Sequence, residues 1–160
     1  MSSYLTVIYG TSAVNNEAAW HLARKLPGKS AVLSVDQLLG GAIAQPSDDP
    51  TAELDMAHTQ LRLLVANYMR NGYNVVVEGV FFHQRDGQTF RYEQDIDQLV
   101  ALMRNMTRKA LTVHLRPEED STGFVYRTRY GANALSIDSS CGLEEIASTV
   151  LDRLHAEESV

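Results

Sequence analysis

The segment Leu5-Thr6-Val7-Ile8-Tyr9-Gly10 decides the fold of this chain. It is short, rich in β-branched residues and stops at a glycine, which predicts a buried strand. Four further apolar runs follow along the chain, at residues 31–35, 73–77, 110–115 and 134–138. Because these runs are continuous rather than alternating, they indicate strands covered on both faces, as in a parallel sheet between two layers of helices.

Helical patterns separate the predicted strands. The spacing of apolar residues predicts helices over residues 16–26, 37–44, 52–70, 95–107 and 143–155, and one more that includes Tyr126, Arg127 and Arg129. Thr51 is expected to cap the helix over residues 52–70, and residues 83–92 to form a polar connection. The alternation of strands and helices predicts a three-layer α/β/α architecture with five parallel strands, in one domain over residues 1–160.

The composition excludes several classes of protein. The chain has 160 residues, of which 44% are hydrophobic and 21% charged, so it is neither disordered nor collagen-like. Its 14 Lys and Arg stand against 20 Asp and Glu, a net charge of −6, and no dense basic run is present, so we expect no nucleic-acid partner. Cys141 is the single cysteine, which excludes an intramolecular disulfide and a cysteine-based zinc site. The five histidines show no metal-binding spacing, and no metal site is expected in the protein itself.

Membrane association is not expected either. No apolar stretch approaches the roughly 18 residues of a membrane span. The first residues also lack a basic segment followed by an apolar one, the pattern of a secretory leader. These patterns predict a soluble, cytoplasmic protein.

A ligand site is expected at the carboxyl ends of the predicted strands, where open α/β sheets bind their ligands. The residues there are 10–16, Asp36, Glu78 with Gly79, Arg116, and 138–140. Asp36 follows the second strand at once, and Glu78 follows three valines of the third strand.

Five segments along the chain carry a family resemblance. They are Val7-Ile8-Tyr9-Gly10-Thr11-Ser12; Ser34-Val35-Asp36; Asn74-Val75-Val76-Val77-Glu78-Gly79; Val113-His114-Leu115-Arg116 followed by Tyr126-Arg127-Thr128-Arg129; and Leu135-Ser136-Ile137-Asp138-Ser139-Ser140 followed by Leu143-Glu144-Glu145-Ile146. In this order and spacing they resemble the small P-loop kinases, the superfamily of adenylate, shikimate and gluconate kinases, chloramphenicol phosphotransferase and zeta-type toxins. The resemblance covers essentially the whole chain.

The resemblance implies a strand order of 2-3-1-4-5 and a site for ATP with Mg²⁺. In this reading Gly10, Thr11, Ser12, Asn15 and Asn16 belong to the phosphate-binding loop. Asp36 is the general base, and Glu78, at the acidic Walker-B-type position, helps to hold magnesium. Arg116, Arg127 or Arg129 neutralises the transferred phosphoryl group. At most one of Arg127 and Arg129 is expected to point inward, because residues two apart on a helix do not share one face.

The phosphate loop itself departs from the family pattern G-x-x-x-x-G-K-[ST]. Aligned on Gly10, the chain has Asn15 for the second glycine, Asn16 for the lysine and Glu17 for the magnesium-holding hydroxyl. The lysine would supply positive charge to the β- and γ-phosphates, and asparagine supplies none. Glu17 adds a negative charge, and two like charges at ~4 Å cost about 4 kcal/mol at an effective dielectric near 20. The sequence therefore predicts a degenerate Walker A motif.

Alternatives remain open for each of these residues. The loop is either a plain helix start, with Asn15 or Asn16 as its N-cap, or an anion site that uses helix amides with Thr11 and Ser12. Asp36 is either a general base or the cap of the next helix. Glu78 either contacts a ligand or cation, or bonds to a neighbouring loop amide.

Two further residues are candidates for substrate binding. His83 lies beyond Phe81 and Phe82, where an acceptor molecule would bind, and Arg85 follows it closely.

The sequence thus favours a kinase-like scaffold with weak or absent ATP-dependent activity, which binds a nucleotide, another small ligand or a protein partner. The alternative is an active phosphotransferase that transfers from an ATP-type donor to a small hydroxyl compound or nucleotide, with Asp36 as base. A third reading keeps only the acceptor pocket, as a small-molecule binding module. The substrate and the oligomeric state are not predicted.

Overall fold

The structure, a computed structural model, describes residues 3–41, 43–85, 88–91, 93–117 and 133–156. Five strands form one parallel sheet: β1 (Ser3–Tyr9), β2 (Ser30–Ser34), β3 (Asn74–Gly79), β6 (Thr107–Arg116) and β7 (Ala134–Asp138). The other two, β4 (Phe82–Arg85) and β5 (Gln88–Arg91), form an antiparallel hairpin. The helices are α1 (Asn15–Lys25), α2 (Pro50–Arg70), α3 (Glu93–Leu102) and α4 (Leu143–His155), with a π-helical turn at Gln37–Gly41.

The sheet has the strand order β2-β3-β1-β6-β7. Counted among the parallel strands alone, this is the expected order 2-3-1-4-5, so the predicted fold class and topology are confirmed. β1 lies in the middle, and its register pairs Ile8 with Glu78 and Tyr9 with Gly79. The ends of β1 and β3 are therefore neighbours, and the turn after β1 lies beside the end of β3.

The strand β1 contributes to hydrophobic cores on both faces of the sheet. Leu5 and Val7 belong to a core with residues of α2 and α3. Tyr4 and Ile8 belong to a second core with residues of α1 and α4. Burial on both faces explains why the strand is continuously apolar.

Several boundaries differ from the sequence-based expectations. α3 ends at Leu102, and the polar residues that follow from Thr107 extend β6 so that it pairs with the start of β1. The predicted helix over residues 37–44 is a π-helical turn. Residues 83–92, expected to form a plain connection, contain most of the β4–β5 hairpin. A short polar hairpin apart from the main sheet has no apolar alternation to reveal it.

The predicted cap of the long helix α2 is wrong. The Asp49 carboxylate, rather than Thr51, accepts a hydrogen bond from the Ala52 N–H at 3.1 Å, and Pro50 occupies the first helical turn. Proline has no N–H to satisfy there, so a helix start two residues earlier is compatible with it.

Along the described ranges, no helix has both the length and the apolar character that crossing a membrane requires. The predicted helix with Tyr126, Arg127 and Arg129 lies outside the described residues.

Candidate functional site

A cleft of about 270 Å³ opens at the carboxyl ends of β2 and β3, beside the turn that follows β1. We call it the β2–β3 cleft. Its polar lining includes Ser12, Asn15, Asn16, Asp36, Gln37 and Glu78. The structure thus brings both predicted catalytic carboxylates together with the two asparagines of the altered loop. Gln37 was not predicted as a site residue. Its position directly after Asp36 is the one feature of the sequence that indicates a place in the lining.

Gly10 makes the sharp turn after β1 possible. Its φ of +134° is a conformation that favours glycine, and a Cβ there would lie 2.3 Å from the backbone oxygen of Leu115. The backbone of β1 therefore approaches β6 closely where the turn begins. The glycine is required by the fold, whether or not a ligand binds.

The turn uses two of its own backbone donors. The Ser12 hydroxyl accepts a hydrogen bond from the Val14 N–H at 3.2 Å, and the Ser12 carbonyl accepts one from the Asn15 N–H at 3.4 Å. Phosphate loops bind anions through backbone N–H groups that point at the ligand. In this conformation the amides of Val14 and Asn15 have partners inside the turn.

The side chain of Asn15 ties the turn to the third strand. It is 4% exposed, and its Nδ2 donates to the carbonyl oxygens of Gly10 at 2.8 Å and Gly79 at 3.4 Å. Its Oδ1 is buried with no hydrogen-bond partner among the described residues. The residue before α1 is Val14, and no side chain caps that helix, so the predicted N-cap role of Asn15 or Asn16 is wrong.

Asn16 contacts the acidic residue of β3. Its Nδ2 donates to Oε1 of Glu78 at 3.1 Å, and Glu78 is 4% exposed. The residue at the lysine position of the family pattern is thus bonded to the residue at the acidic Walker-B-type position. Among the described residues, the hydrogen-bond partner of Glu78 is thus the side-chain amide of Asn16, and its contact with a ligand or cation stays a prediction.

Asp36 also lines the cleft, just after the end of β2. Its Oδ2 accepts a hydrogen bond from the Val80 N–H at 3.2 Å, which links it to the residue that follows β3. The carboxylate is therefore positioned between two strands rather than by the π-helical turn alone.

A second cleft, of about 380 Å³, lies on the other side of the same turn, and we call it the β6–β7 cleft. Thr11, Pro117, Ser139 and Ser140 contribute to its lining, and Ser12 lines both clefts. Of the predicted phosphate-binding residues, Asn15 and Asn16 thus line the β2–β3 cleft, Thr11 lines the β6–β7 cleft, and Ser12 lines both.

Arg116 ends β6 next to the β6–β7 cleft and is exposed. The backbone N–H and the hydroxyl of Ser140 hold the pKa of Asp138 below its usual range, and the charge of Arg116 adds to the effect. Arg116 is not among the lining residues of either cleft.

Four predicted site residues cannot be placed. Arg127 and Arg129 lie outside the described residues, as do the side chains of His83 and Arg85.

The described lining of the β2–β3 cleft contains two acidic residues, Asp36 and Glu78, and neither lysine nor arginine. No cluster of three or more His, Cys, Asp or Glu that could hold a metal ion occurs in the described parts of the chain. Two backbone amides of the turn are bonded within it, and the Asn15 amide links it to Gly79. Together with a described lining that has no lysine, this arrangement does not fit the triphosphate and magnesium of ATP.

Comparisons with known proteins support the fold. No family model matches the chain, and no curated protein matches its sequence. Among solved structures, the Mycobacterium tuberculosis APS kinase CysC in complex with AMPPNP and APS is 15% identical, with a TM-score of 0.68 over 96% of this chain and 98% of that one. A putative kinase from Chloroflexus aurantiacus is 14% identical, with a TM-score of 0.66 over 96% and 99% of the two chains. A gluconokinase from Sinorhizobium meliloti is 13% identical, with a TM-score of 0.56 over 98% and 93%. The chain therefore has the fold of the small P-loop kinases.

Proposed function

We propose that this chain is a kinase-like protein that binds a small ligand in the β2–β3 cleft and has lost phosphoryl transfer from Mg-ATP. The observation that carries the proposal is the hydrogen bond from Asn16 to Glu78. Asn16 places a neutral amide where a working phosphate loop has a lysine ammonium. That amide already donates its hydrogen bond to the carboxylate of Glu78.

The charges around the loop support the same conclusion. Glu17 is exposed in the first turn of α1, and Glu78 and Asp36 line the cleft. Lys25, at the far end of α1, forms an ion pair with Glu144 of α4. A triphosphate in the β2–β3 cleft would meet two carboxylates and no cation among the described lining residues, which is unfavourable at the short distances of direct contact.

The cleft itself remains suited to a ligand. Its volume of about 270 Å³ is at the lower end of small-molecule sites. Carboxylate, amide and hydroxyl groups line it, and such groups hydrogen-bond to hydroxylated compounds. One similar structure holds APS together with AMPPNP. A small ligand, with ATP and Mg²⁺ bound weakly or not at all, is the corresponding proposal for this chain.

An active phosphotransferase is the second candidate, and the position of Asp36 favours it. A base must lie within hydrogen-bonding reach of the hydroxyl that it deprotonates. Asp36 lines the cleft and is fixed by the Val80 N–H, so a hydroxyl bound there would be near it. The two candidates differ in one measurable property, which is the binding of Mg-ATP.

Thermal unfolding with ATP or GTP, with and without Mg²⁺, tests the proposal. A ligand at about 100 times its Kd stabilises a protein by about 2.7 kcal/mol, which raises Tm by roughly 5–10 °C for a domain of this size. We expect no such rise for the wild type. The variant with Asn15→Gly, Asn16→Lys and Glu17→Ser should acquire it, while Glu17→Ser alone, the control for removal of one negative charge, should not.

If Mg-ATP stabilises the wild type, and its turnover is lost in Asp36→Asn, the chain is an active phosphotransferase and the proposed loss of function is wrong.

A further inference from the structure

Glu78 is a deeply buried carboxylate without a described counter-charge. It is 4% exposed, and its only hydrogen bond to a described side chain is the one that Oε1 accepts from the neutral amide of Asn16. Oε2 accepts no hydrogen bond from any described residue, although the side chain lines the β2–β3 cleft. Burial of a carboxylate with one neutral partner is unfavourable unless a cation or further donors reach it.

Asn15 adds a second unsatisfied acceptor to the same lining. Its Nδ2 is used twice, on Gly10 and Gly79, so the amide orientation is fixed by two acceptors. Oδ1 is consequently left buried with no partner in the described part of the molecule. Oε2 of Glu78 and Oδ1 of Asn15 are therefore two hydrogen-bond acceptors that receive no donor from the described residues.

The family pattern has a cation at the position that lies next to Glu78 in this chain. A lysine at position 16 would place an ammonium next to Glu78, but the chain has Asn16 there and retains the acid. Asp36 adds a further carboxylate to the lining, and no described lining residue is basic. A ligand that carries an ammonium group would supply Glu78 with a positive charge and with hydrogen-bond donors.

We infer that the β2–β3 cleft binds a small hydroxylated amine, with the ligand ammonium paired to Glu78. This inference rests on the proposed function, since it names the chemical class of the ligand for the same cleft. A compact polyol amine suits the cleft volume of about 270 Å³. Its hydroxyls would donate to Asp36 and accept from Gln37.

Calorimetric titration with three six-carbon probes tests the charge preference: glucamine, sorbitol and sorbitol 6-phosphate, which are cationic, neutral and anionic. We expect glucamine to bind about tenfold more tightly than sorbitol, as for a buried charge pair of modest strength. Shifts of the side-chain amide signals of Asn15 and Asn16 in NMR spectra should locate the probe. Equal binding of glucamine and sorbitol, preference for the phosphate, or no hexitol binding overturns the inference.

Matched variants assign the preference to one carboxylate. In Glu78→Gln the preference for glucamine should fall to about twofold or less, whereas Glu17→Gln, which removes an exposed carboxylate outside the lining, should keep it. Asn16→Lys gives Glu78 an internal ammonium and should also remove the preference, which provides a second test if Glu78→Gln fails to fold. A preference that persists in Glu78→Gln or Asn16→Lys contradicts the inference.

The same samples separate this inference from the proposed function. Wild-type protein that binds Mg-ATP contradicts the proposed function. If the wild-type protein does not bind Mg-ATP and binds sorbitol as tightly as glucamine, the proposed function stands and the inference of an ammonium ligand is wrong.

Discussion

Asn16 and Glu78 are 62 residues apart in the sequence and are joined by a hydrogen bond of 3.1 Å. The bond connects the first turn of α1 to the end of β3. With Asn15 bonded to Gly79 in the neighbouring position, two consecutive asparagines fasten the turn after β1 to the adjacent strand. Side chains at the start of α1 thus link the turn after β1 to β3.

The first prediction concerns the buried amide of Asn15. Asn15→Ala should lower the free energy of unfolding by about 1–3 kcal/mol, because it leaves the carbonyls of Gly10 and Gly79 without their donor. Thr149→Ala is the control: it removes one hydrogen bond of an exposed residue of α4 and should cost about 1 kcal/mol or less. Urea denaturation measures both. An equal loss in the two variants would show that the Asn15 side chain does not fasten the turn.

The second prediction concerns Gly10. Gly10→Ala should destabilise the protein by about 3–5 kcal/mol, because the new Cβ would clash with the backbone oxygen of Leu115 at a positive φ. Gly28→Ala separates the two causes. Gly28 also has a positive φ, of +79°, but an added Cβ would meet nothing within 4 Å, so that variant should cost about 1–2 kcal/mol. Similar losses in the two variants, measured by chemical denaturation, would argue against the clash.

The third prediction concerns Asn74, which links three parts of the chain at the start of β3. Its Oδ1 accepts from the Tyr4 N–H at 2.9 Å, and its Nδ2 donates to the Pro27 carbonyl at 2.7 Å. Asn74→Ala should therefore lower the free energy of unfolding by about 1–3 kcal/mol. Asn71→Ala, at an exposed position that ends α2, should cost less. Equal Tm values for Asn74→Ala and the wild type would contradict the assignment.

The fourth prediction is a pH dependence that originates at His58. Burial lowers the pKa of this ring below its ordinary 6.5, Asp95 and Asp55 oppose the shift, and Arg62 adds to it. Between the lowered pKa and 6.5 the unfolded chain binds more protons than the folded one, so stability falls as the pH drops through that interval.

The measurement is the free energy of unfolding as a function of pH. His58→Gln should flatten the slope below pH 6.5, because the residue no longer titrates. His155→Gln, at an exposed position of α4, should retain the wild-type slope. A slope unchanged in His58→Gln would assign the pH dependence to other groups.

The parallel sheet could be predicted because its signal is local. Continuous apolar runs such as residues 31–35 and 134–138 are required wherever a strand is covered on both faces. Their order in the sheet followed from the family resemblance and is confirmed. The hairpin of β4 and β5 lies apart from the main sheet, and its polar sequence has no such pattern. Thr51 and Asp49 are both good capping residues, and a shift of two residues in the helix start decides between them.

The candidate site was predictable only as a set of positions. Asp36 and Glu78 could be placed at one edge because parallel strands end at the same edge of a sheet. The bend of the turn after β1 decides which cleft each side chain lines. Thr11 lines a different cleft from Asp36 for this reason. That bend results from the close approach of Gly10 to Leu115, two residues on different strands.

The sequence by itself determined the class of sheet and the asparagine at the position where the resembling pattern has a lysine, since both are properties of residues read in order. Only the tertiary structure decided what the replacing asparagines do. Sequence patterns suggested that they cap a helix, but their amides instead donate across 62 and 64 residues to Glu78 and Gly79. A side-chain amide bonds to whichever acceptor lies within about 3 Å, and here the pairing of β1 with β3 brings that acceptor into place.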